Sequence, residues 1–238
     1  MQVVPIKTRI FRENEDVLEF IFQHVKALSE DCVLVVTSKI VALSEGRTEN
    51  YTNLQEKIDL INKESDFLVE TKHVWLTIKD GMVMANAGVD ESNADGKLVL
   101  LPKDSFRSAE ILRKVLLKKF KLKRFGVLIT DSRTMPLRAG VIGVALGYAG
   151  FSGIKDYRGT PDIFGRKFQY SRTNVADGLA ASAVLIMGEG REQQPLAVIT
   201  GAPVKFQETV NREELRIGLE DDMYGPLLPK FSKKKKPL

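Results

Sequence analysis

The sequence predicts an α+β protein of mixed α/β character, with mixed sheets and helices arranged as two interlocked lobes. Three observations predict it. Short β-like runs alternate with helical periods through the first half of the chain. Asp80-Gly81 sits between two apolar runs and is a strong two-residue hairpin signal. Continuous apolar runs at residues 33–36 and 125–130 read as core strands. At 238 residues, and with domains of roughly 100 to 200 residues, the chain is one large domain or two interlocked lobes. We take residues 1–229 as a single folded domain and residues 230–238 as a lysine-rich flexible tail.

Taken in order, residues 3–6 form a strand. Asn14 is placed as an N-cap, followed by Glu15 and Asp16 in the first turn; Leu18, Ile21, Phe22, Val25 and Leu28 then share one helical face. Residues 33–36 form a buried strand, and Thr37 and Ser38 cap a short helix that runs through Leu43 and ends near Gly46. Residues 53–69 read as a highly charged surface helix. Residues 74–78 and 82–85 flank the Asp80-Gly81 turn. Residues 97–101 form a strand closed by Pro102, and Ser105 or Phe106 opens a basic amphipathic helix to about Phe120. The apolar strand at 125–130 ends in Asp131. Seven glycines between residues 139 and 166 imply backbone packed closely against another strand or a ligand. Asn174 caps a helix carrying Val175, Leu179, Ala183 and Ile186, which exits into Met187-Gly188-Glu189-Gly190, and residues 196–200 are a last core strand.

Composition removes whole classes. The chain carries 36 Lys+Arg against 31 Asp+Glu, a formal +5, but residues 230–238 hold five lysines and no acid. Without them the body has 31 basic and 31 acidic side chains, which disfavours a nucleic-acid binder with a strongly basic surface. A hydrophobic content of 43% with 28% charge is ordinary for a globular protein. Cys32 is the single cysteine and lies in an apolar run, so an intramolecular disulfide and a cysteine zinc site are excluded. His24 and His73 are too few for a histidine-rich metal centre, and they read as a helix-surface and a strand residue. Any catalytic metal must rest on oxygen ligands, which favours Mg²⁺, Mn²⁺ or Ca²⁺. The N-terminus has no apolar leader and no run approaches the ~20 residues of a membrane span, so no membrane association is expected and the expected location is the cytoplasm.

The phosphate loop, the dinucleotide fingerprint and the H-E-x-x-H zinc motif are absent. Three acidic segments stand out in their place. Residues 86–93 (Asn-Ala-Gly-Val-Asp-Glu-Ser-Asn) are dense in turn formers and oxygen donors. Asp131-Ser132 follows an apolar strand at its carboxyl end, where α/β sheets place ligands. Glu189 lies in a glycine-flanked helix exit. An Asx turn, a strand-end cap and a loop account for each one singly; together they supply hard oxygen ligands for divalent cations and hence for phosphate chemistry. Arg138, Arg158, Arg166 and Arg172, with Lys39, would complement them on an anionic substrate, or form a solvated salt-bridged face.

These segments resemble the coenzyme F420-0:L-glutamate ligase family, γ-glutamyl ligases that extend the tail of the deazaflavin cofactor F420. The resemblance rests on ordered blocks over most of the chain. They are residues 35–41 with Glu45-Gly46-Arg47, residues 86–93, Leu101-Pro102-x-Asp104 with Ser108-Ala109, and residues 129–132. Asp156-Tyr157-Arg158-Gly159, Asp162 with Gly165-Arg166, Val175-Ala176-Asp177 and Met187-Gly188-Glu189 complete the set. The resemblance implies that GTP phosphorylates a substrate carboxylate and that the amine of L-glutamate attacks the acyl phosphate to form an amide. It implies Asp90 and Asp131 as catalytic metal ligands, with Ser132 and Glu189 helping to hold a second Mg²⁺ or Mn²⁺, and K⁺ as a further ion. It implies nucleotide contacts from Thr8, Arg9, Ile10 and Phe11, from Ser38, Lys39 and Asn93, and from Met187, Gly188, Gly190, Arg191, Glu192, Gln193 and Gln194. A homodimer is also implied, with GTP, L-glutamate and an anionic cofactor acceptor as partners. Two departures stand out. Leu43 occupies a position where much of the family has lysine, and Ser132-Arg133-Thr134-Met135-Pro136 replaces a glycine-arginine segment. Changed substrate-side residues beside retained metal ligands fit a different acceptor, of which a folate is one, or a catalytically idle nucleotide-binding homologue.

Overall fold

Local signals place most elements of the computed structural model, which describes residues 1–228. The tail read at residues 230–238 lies outside the described residues. Strand β1 spans Gln2–Ile6. Helix α1 (Val17–His24) is capped by Asp16, whose carboxylate accepts from the Leu18 and Glu19 amides at 2.7 and 3.0 Å. Asn14 is therefore not the cap; it takes φ 63°, a left-handed turn conformation that asparagine tolerates. The buried strand β2 (Cys32–Thr37) leads directly into α2 (Ser38–Ser44), which ends before Gly46 at φ 64°. After the short β3 (Thr48–Glu49), α3 (Leu54–Glu64) is capped by Asn53 and stops well before the expected residue 69. Phe67–Glu70 forms β4 instead, because its aromatic and branched side chains pair with β5 (Trp75–Lys79). His73 lies in the bend between these strands. Asp80 (φ 52°) and Gly81 (φ 76°) make the left-handed two-residue turn into β6 (Met82–Ala85).

Only Leu98–Val99 of the expected strand at 97–101 forms β7, which pairs with β3. Helix α4 (Ser105–Phe120) starts at the Asp104 cap and closes at Lys121 in a left-handed conformation. Strand β8 (Phe125–Thr134) runs past Asp131 and pairs with β9 (Val141–Ala149), hidden in the glycine-rich segment. The short pair β10 (Ile154–Asp156) and β11 (Arg172–Asn174) precedes α5 (Val175–Met187), where Asn174 accepts from the Asp177 amide as expected, and β12 (Leu196–Thr200) follows.

The central sheet has the order β1-β12-β2-β8-β9. Only β2 and β8 are parallel; the other neighbours are antiparallel. Side chains alternate across β2. Leu34 and Val36 meet Phe20 and Ile21 of α1 and Leu112 and Leu116 of α4, whereas Val33 and Val35 share a second core with Leu179, Ala180 and Ala183 of α5. The sheet is therefore sandwiched between helices. The glycines of β9 serve that packing, and their neighbours are helices rather than a strand or ligand. A Cβ on Gly143 would meet the Ala180 carbonyl oxygen and Val184 of α5, and one on Gly147 would meet the Ser105–Phe106 backbone where α4 begins. A smaller unit, the β4-β5-β6 meander with α3, has its own core of Ile61, Ala87, Val89, Leu98 and Leu100. Glu64 at the end of α3 binds Lys79 of β5 at 2.5 Å and Arg47, just before β3, at 2.8 Å. Among the described residues, no helix is long and apolar enough to cross a membrane.

Candidate functional site

Five segments converge on one cleft of about 540 Å³, a size typical of small-ligand sites. Parallel pairing of β2 with β8 brings Thr37 beside Thr130, so the start of α2 (Ser38, Lys39) and the second half of β8 (Asp131, Ser132) lie side by side. A bulge in β9 shifts its pairing with β8 at this level: Ile129 pairs with Gly147 but Thr130 pairs with Ala145, leaving Leu146 of β9 as the extra residue. Asp131 thus stands beside this bulge, within its strand rather than at the end. The loop after α5 closes a third side. It is tied down by Thr8 donating its amide to the Gln193 carbonyl (2.9 Å) and Thr37 donating to the Pro195 carbonyl (3.0 Å). The loop bearing Asp90 and Asn93 closes the fourth, with Asn93 Nδ2 donating to the Gly190 carbonyl at 3.2 Å. Its conformation depends on Thr77, whose buried hydroxyl donates to the Met84 carbonyl and accepts from the Ala87 amide, both at 2.7 Å. Ala87 is held there at φ 53°.

All of the metal and nucleotide residues that the family resemblance implies line this cleft. Thr8, Arg9, Ile10 and Phe11 form one wall; Ser38 and Lys39 the base; Asp90 and Asn93 one rim; Asp131 and Ser132 the floor; and Met187, Gly188, Glu189, Gly190, Arg191, Glu192, Gln193 and Gln194 the opposite rim. Several have side chains committed elsewhere. Phe11 and Met187 are core residues, the Arg9 guanidinium binds Glu15 at 2.7 Å and covers the Phe20 ring, and Glu192 accepts from the Gly190 amide at 2.8 Å. Arg138, Arg158, Arg166 and Arg172 do not line the cleft; they lie on the β8–β9 turn and around the excursion between β10 and β11, where Arg158 pairs with Asp156. The cations of the cleft are Arg9, Arg12, Lys39 and Arg191. Leu43 lines it as well, beside Ile40, giving an apolar patch where a lysine would have put charge.

Three carboxylates define the electrostatics. Lys39 Nζ donates to Asp90 Oδ2 and the Ser92 carbonyl at 2.6 Å each, and to the Ser92 hydroxyl at 3.1 Å. Burial works against ionisation of Asp90, but the bonds from Lys39 and Ser92 outweigh it and hold the carboxyl below its ordinary value. Asp131 is paired with the guanidinium of Arg133, two residues along the same strand face. Among the described residues Glu189 has no cation in contact: burial raises its carboxyl, the Ser132 hydroxyl at 3.2 Å and the more distant Lys39 charge lower it, and the negative charges of Asp131 and Asp90 add to the rise, which prevails. Among the described residues, the buried side-chain polar atoms without a hydrogen-bond partner are Thr130 Oγ1 and Arg133 Nε and Nη2, which flank Asp131. Ser92 lies in the oxygen-rich segment 86–93 and Arg133 in the departing segment 132–136, but neither was expected as the partner of a site carboxylate. Asp90-x-Ser92 is an Asx turn visible in sequence, whereas nothing in sequence marks Arg133 as the partner of Asp131. Cys32 is buried in β2 with its thiol pushed up by burial, an inert core residue.

A divalent metal fits this donor set chemically, because Asp90, Asp131, Glu189 and Ser132 offer only hard oxygens and the carboxylates feel one another's charge. As they stand, no three His, Cys, Asp or Glu side chains among the described residues converge to hold an ion, since Lys39 and Arg133 draw two of the carboxylates to themselves.

A helix-covered mixed sheet with an acidic, cation-balanced cleft at the β2/β8 parallel pair defines the class: an α+β protein built around a site for a small ligand. Residues 5–201 match the model of the F420-0:Gamma-glutamyl ligase family, and the chain belongs to that family. The coenzyme F420:L-glutamate ligase of Methanococcus maripaludis strain C6 is 40% identical over 169 residues, 71% of this chain and 65% of the relative. That of Archaeoglobus fulgidus is 34% identical over 242 residues, covering 94% of this chain and 96% of the relative. That of Haloarcula marismortui is 32% identical over 245 residues, 93% and 94% of the two chains. The chain thus spans just under two thirds of the Methanococcus relative and nearly all of the other two.

Proposed function

We propose that the chain is a metal-dependent, GTP-consuming ligase that joins L-glutamate by an amide bond to an anionic cofactor, F420-0 or a related acceptor such as a folate, and works as a homodimer. The observation that carries this reading is the meeting of Asp90, Asp131, Glu189 and Ser132 with the 8–11, 38–39 and 187–194 segments around one cleft. In the reaction, a carboxylate oxygen of the acceptor attacks the γ-phosphorus of GTP and the bond to GDP breaks. The glutamate amine then attacks the acyl carbon, phosphate leaves, and the amine loses a proton. Asp90, Asp131, Ser132 and Glu189 would hold two Mg²⁺ or Mn²⁺ ions, with K⁺ as a further ion, and the bound ions would supply neutralisation of charge on the transferring phosphoryl group. The backbone of residues 188–194 and the start of α2 orient the nucleotide. The apolar patch at Leu43, in place of a cation, supports an acceptor that differs from that of relatives carrying lysine there.

Mass spectrometry of products formed with glutamate, GTP or ATP, Mg²⁺ or Mn²⁺, and a pool containing F420-0 and folates tests the reading. A glutamyl increment on one acceptor, with nucleoside diphosphate released only in the complete mixture, is the expected result. Tight GTP binding with no phosphate released across the pool would instead identify an idle nucleotide-binding homologue.

A further inference from the structure

We propose that Lys39 is a resident cation that occupies the Asp90 side of the cleft until a divalent metal arrives, and that the metal's arrival turns its ammonium over to the nucleotide phosphates. All three of its N–H donors are spent on one loop: Asp90 Oδ2 and the Ser92 carbonyl at 2.6 Å each, and the Ser92 hydroxyl at 3.1 Å. That set, a carboxylate, a carbonyl and a hydroxyl, is the donor set a hard cation would choose. Lys39 therefore sits as a stand-in ion and cannot grip a nucleotide in the same position, although it lines the cleft beside Ser38.

The two cation-held carboxylates differ in a way that singles out Lys39. The Arg133 side chain is 9% exposed, on a strand, with Nε and Nη2 buried, so moving it would disturb its packed surroundings. The Lys39 side chain is 26% exposed and hangs from the first turn of α2 on four methylenes, over a cleft wide enough to receive it. With a divalent cation bound at Asp90, the Lys39 ammonium would be repelled from that carboxylate and its N–H donors would be free to face the cleft. A triphosphate is the group of matching charge, so metal and nucleotide binding reinforce each other through this side chain.

The inference rests on Asp90 as a metal ligand, and calorimetric titration of Mn²⁺ alone into the full chain separates the two. Lys39→Met removes the competing charge and should bind Mn²⁺ about 10-fold more tightly than the wild type, while Lys39→Arg, which keeps the charge, should stay near the wild type. In the same Lys39→Met chain, the gain in GTP affinity on adding Mn²⁺ should shrink. Equal or weaker Mn²⁺ binding by Lys39→Met overturns the exchange and leaves the metal assignment standing. Absence of Mn²⁺ binding by both chains overturns exchange and metal assignment together. None of these readouts needs an acceptor or turnover.

Discussion

Asp131 has two roles that a substitution would expose together. Its carboxylate faces the cleft, and among the described residues it is the one carboxylate bound to a guanidinium whose Nε and Nη2 are without partners and whose Nη1 otherwise reaches only the Ser132 carbonyl. Asp131→Ala should therefore lower kcat/KM by at least about 10²-fold in the glutamyl-transfer assay, as loss of a metal ligand does. It should also lower stability by about 2–3 kcal/mol in urea unfolding, because it strands a buried cation. Retained activity would remove Asp131 from the metal set whatever the stability result. Thr77 acts at a distance from the chemistry. Thr77→Val keeps the shape but leaves the Ala87 amide unpaired in the core and removes the side-chain bond to the Met84 carbonyl, so it should cost about 1–3 kcal/mol and loosen the turn that presents Asp90, while Thr77→Ser should recover most of the loss. Asp90, Asp131, Ser132 and Glu189 were legible in sequence as oxygen donors in turn-rich or strand-end settings, and the fold brings them to one cleft. Their counter-ions were not legible, since the Lys39–Asp90 pair spans 51 residues and the Arg133–Asp131 pair requires β8 to continue past residue 130, which the sequence did not signal.

Helix α5 bears on two glycines in opposite ways. Gly143 of β9 faces its backbone, so Gly143→Ala drives a methyl into the Ala180 carbonyl; it should cost about 2–3 kcal/mol and lower the thermal midpoint by about 5–10 °C. Gly178, within α5, has open space where its Cβ would be and an ordinary helical φ. Gly178→Ala should raise stability by about 0.5–1 kcal/mol in the same measurement. Because the α5 exit delivers Glu189 to the cleft, Gly143→Ala should also raise the concentration of Mn²⁺ needed for half-maximal binding, and Gly178→Ala should leave it unchanged. The same contrast shows why some elements were readable and others were not. Helix α5, the β5–β6 hairpin and β12 announce themselves through a cap, a turn pair and an apolar run. Strand β9 is spaced by glycines, which propensity counts against a strand, and only the helices packed on it explain them. The end of α3 failed for the opposite reason, because polar Lys63–Asp66 gives no sharp break before β4.

At the scale of the whole chain, the fold couples a neutral body to a charged end. Removing residues 230–238 takes away five lysines and no acid, so the truncated chain should lose whatever retention on heparin the full chain shows, with its thermal midpoint unchanged. Retention that survives the truncation would place the basic surface on the body. Within the body, Glu64 joins the α3 unit to the remainder: it is largely buried and binds both Lys79, from its own meander, and Arg47, from the segment that leads into the β3–β7 pair. Burial alone would raise its carboxyl, but the two cations overcompensate and hold it below the ordinary glutamate value. With a folded value depressed in this way, the stabilisation is complete above the unfolded value, near pH 4.5, and is lost as pH falls through the folded value. Glu64→Gln should therefore cost about 2 kcal/mol at pH 7 and flatten the decline in stability below about pH 4.5, so that the two chains converge in acid. If the gap between them stayed constant from pH 7 to pH 3, packing of the amide rather than the ion triple would explain it. Convergence would show that charge, not apolar contact alone, fastens the meander that presents Asp90 to the sheet that presents Asp131.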